Sequence, residues 1–439
     1  MYQPQHPGNR LDGIEVVSTK DQVFRLRASR AGKGLLVLKA EAPVVLVSAQ
    51  GAEAKLRQGW DGTLGYSHFG LEVAFAAAGE ATITLRSVPP PDKSEPGTDE
   101  DLTEFRTRYA ARPSRFPDSP ASFASWQATY RAELASLLMA GGLPPRVPPD
   151  PKVIETREYP EFALRRIECR SQADRTNVAL LSLPKGVARA PLLVALHGHE
   201  NEWGGAAEQA YLPGNNDDFC AYFAERGWAV LQPATMNHTL QHPTWTLQGE
   251  WSWDAMTALD YAVALPEVDR QRVAVCGLST GAHLAMNLLA LDDRVRAGVV
   301  GCVFSTWHHY KRFRIPPGCD CGIIRQVSSR IEQCDWAALA APKPVQFQHG
   351  RQDAAFCPGA DPAALDLKWN VGVMPAEEYA SAFGEVQRAW RLSGARDRVE
   401  TRFHDGPHSV NNPAAFEWLS QWMIRVRQKA SVQWDRWEG

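Results

Sequence analysis

Residues 1–88 contain short runs in which apolar and often β-branched residues alternate with polar ones, separated by turns that contain glycine. Successive side chains of a strand point to opposite faces, so this alternation predicts half-buried strands. The runs read DGIEVVS, QVFRLRA, GLLVLKA, PVVLVSA, GLEVAFA and ATITLRS. Together they predict a β-sandwich-like N-terminal domain. The pattern reveals no function for this domain, and we favour a packing or oligomerisation role over sugar binding.

Two further segments precede the next change of pattern. Residues 89–118 begin with PPPDKSEPGTDEDLTE, whose prolines, charges and lack of apolar residues predict a linker. Residues 119–152 contain a helical pattern that a pair of glycines closes, followed by a proline-rich connection. The apolar positions of this helix recur at helical spacing and predict a face packed against a core: Phe123, Trp126, Tyr130, Leu134 and Leu137.

From about Val153 onwards, strand patterns and helix patterns alternate, and the second predicted domain spans residues 119–430. The run APLLVALHG is almost continuously apolar, as expected for a strand that is buried on both faces of a parallel sheet. Further strands are predicted at WAVLQPA, RVAVCGLS, VRAGVVGCVFS, KPVQFQHG and VETRFHDG, with helical patterns between most of them. Repeated units of this kind predict an α/β fold with a doubly wound, mostly parallel sheet. Ligands of such sheets bind at the carboxyl ends of the strands.

One serine lies at a junction between a predicted strand and a predicted helix. Ser279 lies between the predicted strand RVAVCG and the predicted helix GAHLAMNLLAL. Gly277 lies two residues before it and Gly281 two residues after it. A sharp strand-turn-helix corner presents a serine hydroxyl above a sheet, and the helix N-terminus places backbone N–H groups beside it. Because the Gly-x-Ser-x-Gly pattern is short, an ordinary β-α turn explains the motif alone equally well.

A serine hydroxyl needs a base that removes its proton, and in this arrangement the acid and the histidine follow the serine in that order. Asp353 lies in the loop after the predicted strand KPVQFQHG, and His408 lies in the loop after VETRFHDG. We therefore predict Ser279 as nucleophile, His408 as general base and Asp353 as the group that orients the imidazole. Asp405 and Asp335 are alternatives for the acid, the first very near His408 in sequence and the second before the strand.

The oxyanion of an acyl-transfer intermediate needs two hydrogen-bond donors. We predict the backbone N–H of Thr280, directly after the nucleophile, and a backbone N–H near His199 in the loop after LLVALHGH.

Four segments resemble the α/β-hydrolase superfamily: ALHGHENEWGG, PEVDRQRVAVCGLSTG, LALDDRVRAGVVGCVFST and LAAPKPVQFQHGRQDAAF. They are most similar to the dienelactone-hydrolase-like and acetyl-xylan-esterase-like serine esterases, over roughly Trp126 to Arg427. The resemblance implies a serine hydrolase of carboxylic esters, with Ser279, Asp353 and His408 at the matching catalytic positions. Family members called dienelactone hydrolases use cysteine as nucleophile, and the serine found here implies ester hydrolysis.

Aromatic residues in loops at the same predicted edge suit a pocket for a sugar ring or an aromatic acyl group. The candidates for contact with the substrate are Trp203, Trp307, His308, Tyr310 and Phe356. His238 and His242, and the pair Cys319 and Cys321, have spacings that metal ligands can adopt. They lie in predicted loops without a second cysteine pair, so we predict neither a metal nor another cofactor.

The composition limits the classes of partner. The chain has 439 residues, a formal net charge of −3 and a pI near 6.5, which gives no basic surface for nucleic acid. No run is long and apolar enough to span a membrane, and the start lacks the features of a signal peptide. The 8 cysteines follow no disulfide framework, which favours a reducing, cytoplasmic location. A homo-oligomer remains open.

These features favour a serine esterase that removes acetyl or other short acyl groups, plausibly from carbohydrates. A serine peptidase of the prolyl-oligopeptidase type is an alternative, but its propeller domain needs more residues than the start of this chain provides. A non-catalytic binding protein on a hydrolase fold is the other alternative.

Overall fold

The computed structural model describes residues 2, 11–40, 44–57, 67–87, 114–139, 141–173, 175–198, 219–235, 245–307, 309, 330–353, 358 and 375–424. Their strands form two small sheets near the N-terminus and one large sheet in the rest of the chain.

The N-terminal strands pack as a sandwich of two antiparallel sheets. The strands are β1 Ile14–Lys20, β2 Val23–Ala28, β3 Gly32–Ala40, β4 Val44–Gln50, β5 Glu53–Arg57, β6 Ser67–Phe75 and β7 Gly79–Ser87. One sheet has the order β1-β2-β7-β4 and the other β3-β6-β5. Phe24 and Ile83 of the first sheet share a buried core with Leu36 and Leu71 of the second. This confirms the predicted N-terminal domain, except that strand β5 was not predicted, because EAKLR contains too few apolar residues to show the pattern.

The large sheet has nine strands in the order β16-β15-β14-β13-β11-β12-β10-β9-β8. They are β8 Lys152–Glu158, β9 Phe162–Gln172, β10 Arg175–Pro184, β11 Ala190–Leu196, β12 Ala229–Pro233, β13 Val268–Leu278, β14 Val295–Gly301, β15 Val345–Gly350 and β16 Val399–His404. Strand β10 is antiparallel to both of its neighbours, and β8 pairs with β9 antiparallel. The other six strands, β12, β11, β13, β14, β15 and β16, pair in parallel with their neighbours in this order. The predicted mostly parallel sheet is thus confirmed.

Helices cover both faces of this sheet. They are α1 Pro120–Leu138, α2 Phe219–Ala224, α3 Leu247–Ala262, α4 Thr280–Leu291, α5 Gln333–Ala338, α6 Ala376–Leu392 and α7 Asn412–Met423. Strand β11 shows why two layers are needed: Leu192 and Val194 belong to one buried cluster, whereas Leu193 and Ala195 belong to another on the opposite face. Helices α1, α3, α4, α5 and α6 contribute to the first cluster, and α2 and α7 to the second.

The end of the predicted linker differs from expectation. Residues 114–118 pack on the α/β domain, where the buried ring of Phe116 lies 5.3 Å from Phe123 and 5.5 Å from Trp126. Helix α1 begins after Ser119, whose hydroxyl accepts a hydrogen bond from the Ser122 backbone N–H. The sequence did not predict this packing, because a single phenylalanine in a polar segment forms no periodic pattern of apolar residues.

Candidate active site

Ser279 occupies a strained corner between β13 and α4. Its φ of 56° and ψ of −124° lie in a region that residues with a β-carbon rarely adopt. The backbone N–H of Ser279 donates to the Gly301 carbonyl at 2.9 Å, which joins the corner to the end of β14. The side chain is 5% exposed, at the carboxyl end of the parallel strands. This geometry is the strand-turn-helix corner predicted from the sequence.

Both flanking glycines are required by close backbone contacts. A β-carbon on Gly277 would lie 2.2 Å from the Gly281 carbonyl oxygen, and one on Gly281 would lie 2.2 Å from the Leu196 carbonyl oxygen. Such distances are far below van der Waals contact, and the atoms that would have to move belong to the backbone of β11 and α4. The glycines therefore allow strand and helix to approach closely enough to form the corner.

We expect the substitution Gly281→Ala to lower the free energy of unfolding by about 3 kcal/mol or more, because it forces apart packed backbone. Gly384 of α6 is the matched control, since a β-carbon there meets no atom within 4 Å. Gly384→Ala should instead raise the free energy of unfolding by about 0.5–1 kcal/mol, through helix propensity. Urea unfolding of both variants beside the parent measures the two effects, and equal stabilities would contradict this account of the corner.

An aspartate and a histidine meet near the same edge of the sheet. Asp353 follows β15 and His408 follows β16, and Nδ1 of His408 lies 2.7 Å from Oδ2 of Asp353. The Asp353 side chain is 1% exposed, whereas that of His408 is 27% exposed. A buried carboxylate that accepts from Nδ1 holds the imidazole as the tautomer whose Nε2 carries no proton and can accept one.

The loop that carries His408 is held against the end of β15. A β-carbon on Gly350 would lie 2.0 Å from the Pro407 carbonyl oxygen, so only a glycine allows the loop to pass there. The Gln352 N–H also donates to the Gly406 carbonyl at 2.9 Å. These contacts place the two loops side by side and fix the separation of Asp353 and His408.

The strand order brings Ser279, Asp353 and His408 to one region of the sheet edge. Ser279 follows β13, Asp353 follows β15 and His408 follows β16, and β13, β14, β15 and β16 are consecutive neighbours in the sheet.

No protein-family model matches the chain, and no curated protein matches its sequence. Solved structures do match. A Bacteroides fragilis protein described as an acetyl xylan esterase is 16% identical, with a TM-score of 0.51 over 75% of this chain and 93% of that chain. A glucuronoyl esterase from Solibacter usitatus is 15% identical, with a TM-score of 0.51 over 71% of this chain and 98% of that chain. A methylesterase is 17% identical, with a TM-score of 0.50 over 77% of this chain and 71% of that chain.

The chain has the α/β-hydrolase fold. This confirms the fold that the sequence resemblance implied. Ser279 lies in the sharp corner after β13, and the loops after β15 and β16 hold Asp353 and His408.

The two alternative acids of this α/β-hydrolase domain lie in other environments. The Asp405 side chain is 89% exposed and pairs with Arg351. Asp335 is fully buried at the start of α5, where its carboxylate accepts from the backbone N–H groups of Arg115 and Glu332. Burial raises the pKa of Asp335 to about 6, although both backbone hydrogen bonds oppose that shift. The structure therefore gives Asp335 a capping role and leaves Asp405 in solvent.

The raised pKa of Asp335 predicts a component of stability that depends on pH. The folded protein holds the Asp335 proton up to about pH 6, whereas an unfolded aspartate releases it near pH 3.9. Between these values the folded state binds more protons, so this group's contribution to the free energy of unfolding falls as pH rises and is constant above about pH 6. The stability of the parent relative to Asp335→Asn should therefore fall by up to about 3 kcal/mol from pH 4 to pH 6. Parallel stability curves for the two proteins would contradict the raised pKa.

The predicted oxyanion donors are only partly within the described residues. Thr280 is the first residue of α4, and its side chain is buried. Gly198 comes close to Ser279, since a β-carbon on it would lie 3.5 Å from the Ser279 β-carbon. His199, the second predicted donor, lies outside the described residues.

His197 is buried, with Nδ1 2.9 Å from the Gly198 carbonyl and Nε2 3.3 Å from the Thr235 hydroxyl, as expected for a structural histidine.

The prediction that Trp307 contacts the substrate needs correction. Its indole has no exposed surface, its Nε1–H donates to the Ile331 carbonyl at 2.8 Å, and its ring stacks on Trp336 at 6.0 Å. The side chain is therefore part of the core under α5 and is not accessible to a substrate. The other predicted pocket residues, Trp203, His308, Tyr310 and Phe356, lie outside the described residues.

Four residues with the spacing of metal ligands also lie outside the described residues: His238, His242, Cys319 and Cys321. Five cysteines are described, all of them buried, and none of the five forms a disulfide with another: Cys169, Cys220, Cys276, Cys302 and Cys334. No helix in the described ranges combines the length and the apolar character that a membrane span requires.

Sequence reasoning gave no role to Cys302, which the structure places beside Asp353 and His408. The predicted strand VRAGVVGCVFS continued through this residue, whereas β14 ends at Gly301 and Cys302 turns away with a φ of 56°. Its position near the carboxyl end of a predicted central strand was the available signal.

Proposed function

We propose that the protein is a serine-dependent carboxylic ester hydrolase that removes acetyl or other short acyl groups from carbohydrates. The observation that carries the proposal is the hydrogen bond between His408 and the buried Asp353, on the sheet edge where the strained corner holds Ser279. A nucleophile, a base and a group that orients the base are the components that acyl transfer requires.

In the proposed reaction His408 accepts the Ser279 proton at Nε2 while the hydroxyl oxygen attacks the ester carbonyl. Asp353 keeps Nδ1 protonated and stabilises the imidazolium that forms. The Thr280 N–H and a donor from the loop beyond Gly198 would stabilise the oxyanion. The imidazolium then protonates the departing alcohol, and water attacks the acyl-enzyme by the same sequence of steps.

The esterases with similar structures are named for esters of two kinds. In an acetyl ester of xylan the sugar is the alcohol, whereas in a glucuronoyl ester or a sugar methyl ester it provides the acyl group. We favour the first arrangement because the sequence resemblance is to acetyl-xylan-esterase-like enzymes.

The test measures the hydrolysis of p-nitrophenyl esters from acetate to octanoate, followed by acetate release from acetylated xylan and methanol release from methyl glucuronate. We expect turnover to fall with acyl chain length and acetate to be released. Methanol release without acetate release would mean that the sugar provides the acyl group of the substrate and not the alcohol. No hydrolysis of any of these esters would favour a different use of the hydrolase fold.

A further inference from the structure

Cys302 lies between the nucleophile and the acid. It is the first residue after β14, the strand between those that lead to Ser279 and to Asp353. Its backbone N–H donates to the Gln348 carbonyl of β15 at 2.8 Å, and the preceding Gly301 carbonyl accepts from the Ser279 N–H. The backbone at Cys302 thus connects the serine corner with the strand that ends in the acid loop.

The backbone conformation of Cys302 is unfavourable for a residue with a side chain. Its φ of 56° matches that of Ser279, and glycine would adopt this conformation without strain. Non-glycine residues hold such conformations where the surrounding structure enforces them, often at functional sites. A role that compensates for this backbone strain would depend on the contacts of the thiol.

The thiol reaches both components of the acid–histidine pair. Its Sγ donates to the carbonyl of Ser409, the residue after His408, at 3.3 Å. Sγ and the facing atoms of Asp353 and His408 all lie within 4.8 Å of one another. Burial and the neighbouring Asp353 charge raise the pKa of the Cys302 thiol, so it remains a protonated donor.

We propose that Cys302 is a positioning residue for the reaction, whose S–H group holds the His408 loop, through the Ser409 carbonyl, in register with Asp353 and Ser279. Without this donor, the Ser409 carbonyl loses its link to the end of β14, and the thiol no longer packs beside the Asp353 carboxylate. The imidazole then samples orientations in which Nε2 does not face the serine. This inference deepens the proposed function and rests on it.

The test compares four variants on p-nitrophenyl acetate. Cys302→Ala removes the donor and should lower kcat by about 10- to 100-fold with little change in KM. Cys302→Ser restores a donor and should recover kcat to within about 5-fold of the parent, since a hydroxyl donates in the same direction. Cys302→Gly relieves the strain but lacks the donor, so it should remain impaired. Cys220→Ala creates a similar cavity in the buried part of α2 and should leave kcat unchanged.

A spectroscopic measurement separates this inference from the proposed function. The proton shared by His408 Nδ1 and Asp353 should give a far-downfield NMR signal in the parent and in Cys302→Ser. The signal should shift or broaden in Cys302→Ala, whatever the activity of the enzyme. An unchanged signal in Cys302→Ala, full activity in Cys302→Gly, or equal loss in the serine and alanine variants would each overturn the proposal.

Discussion

Replacing Ser279 with alanine should reduce kcat for ester hydrolysis by about 10⁴- to 10⁶-fold and leave the protein folded. The substitution removes the oxygen that would form the acyl-enzyme. The backbone strain is unchanged, because serine and alanine both carry a β-carbon at the φ of 56°. The remaining activity would come from the oxyanion donors and substrate binding, which the substitution does not remove.

Hydrolysis of p-nitrophenyl acetate and thermal unfolding of both proteins measure the two parts of this prediction. Ser305→Ala is a matched control, since Ser305 is also a buried serine just beyond β14, and its hydroxyl donates to the Thr306 carbonyl and accepts from the Gln333 amide. We expect the control to keep kcat within about tenfold of the parent. A Ser279→Ala protein with parental turnover would rule out the serine mechanism.

Replacing Asp353 with asparagine should lower kcat/KM by about 10⁴-fold. The asparagine amide can present its NH₂ group to Nδ1 of His408. The imidazole would then carry its proton on Nε2, where it cannot accept one from Ser279. Because Asp353 is buried and 2.7 Å from the imidazole, solvent cannot restore the lost interaction.

Asp405→Asn is the matched control, because it makes the same chemical change three residues from His408 in an exposed side chain that pairs with Arg351. An exposed ion pair of this kind contributes little, so turnover should stay close to that of the parent. A large loss in Asp405→Asn together with a mild effect of Asp353→Asn would exchange the roles of the two carboxylates.

Several features were predictable because they depend on neighbours in the chain. The alternation of apolar and polar residues identified the N-terminal strands, and the continuous apolar run of β11 identified a strand buried on both faces. The glycines two residues either side of Ser279 indicated the sharp corner, since the clashes that they avoid arise where this strand meets this helix. The edge strand β5 escaped prediction because it contributes few apolar residues.

Other features depended on residues far away in the sequence. Trp307 follows a strand, which suggested an exposed loop, yet its burial depends on Ile331 and Trp336. The turn at Cys302 depends on the Gln348 carbonyl of the neighbouring strand. The residues next to Trp307 and Cys302 in the sequence do not identify these distant contacts.

The sequence alone determined the α/β class, the N-terminal β domain, the corner at Ser279 and the order in which Asp353 and His408 follow it. These properties arise from the periodic spacing of apolar side chains along the chain and from the backbone clashes that the glycines around Ser279 avoid. The tertiary structure alone decided that Asp353 contacts the imidazole and that Cys302 lies beside the pair. Those contacts require β14, β15 and β16 to be neighbours in one sheet, and that adjacency forms only when distant segments pack together.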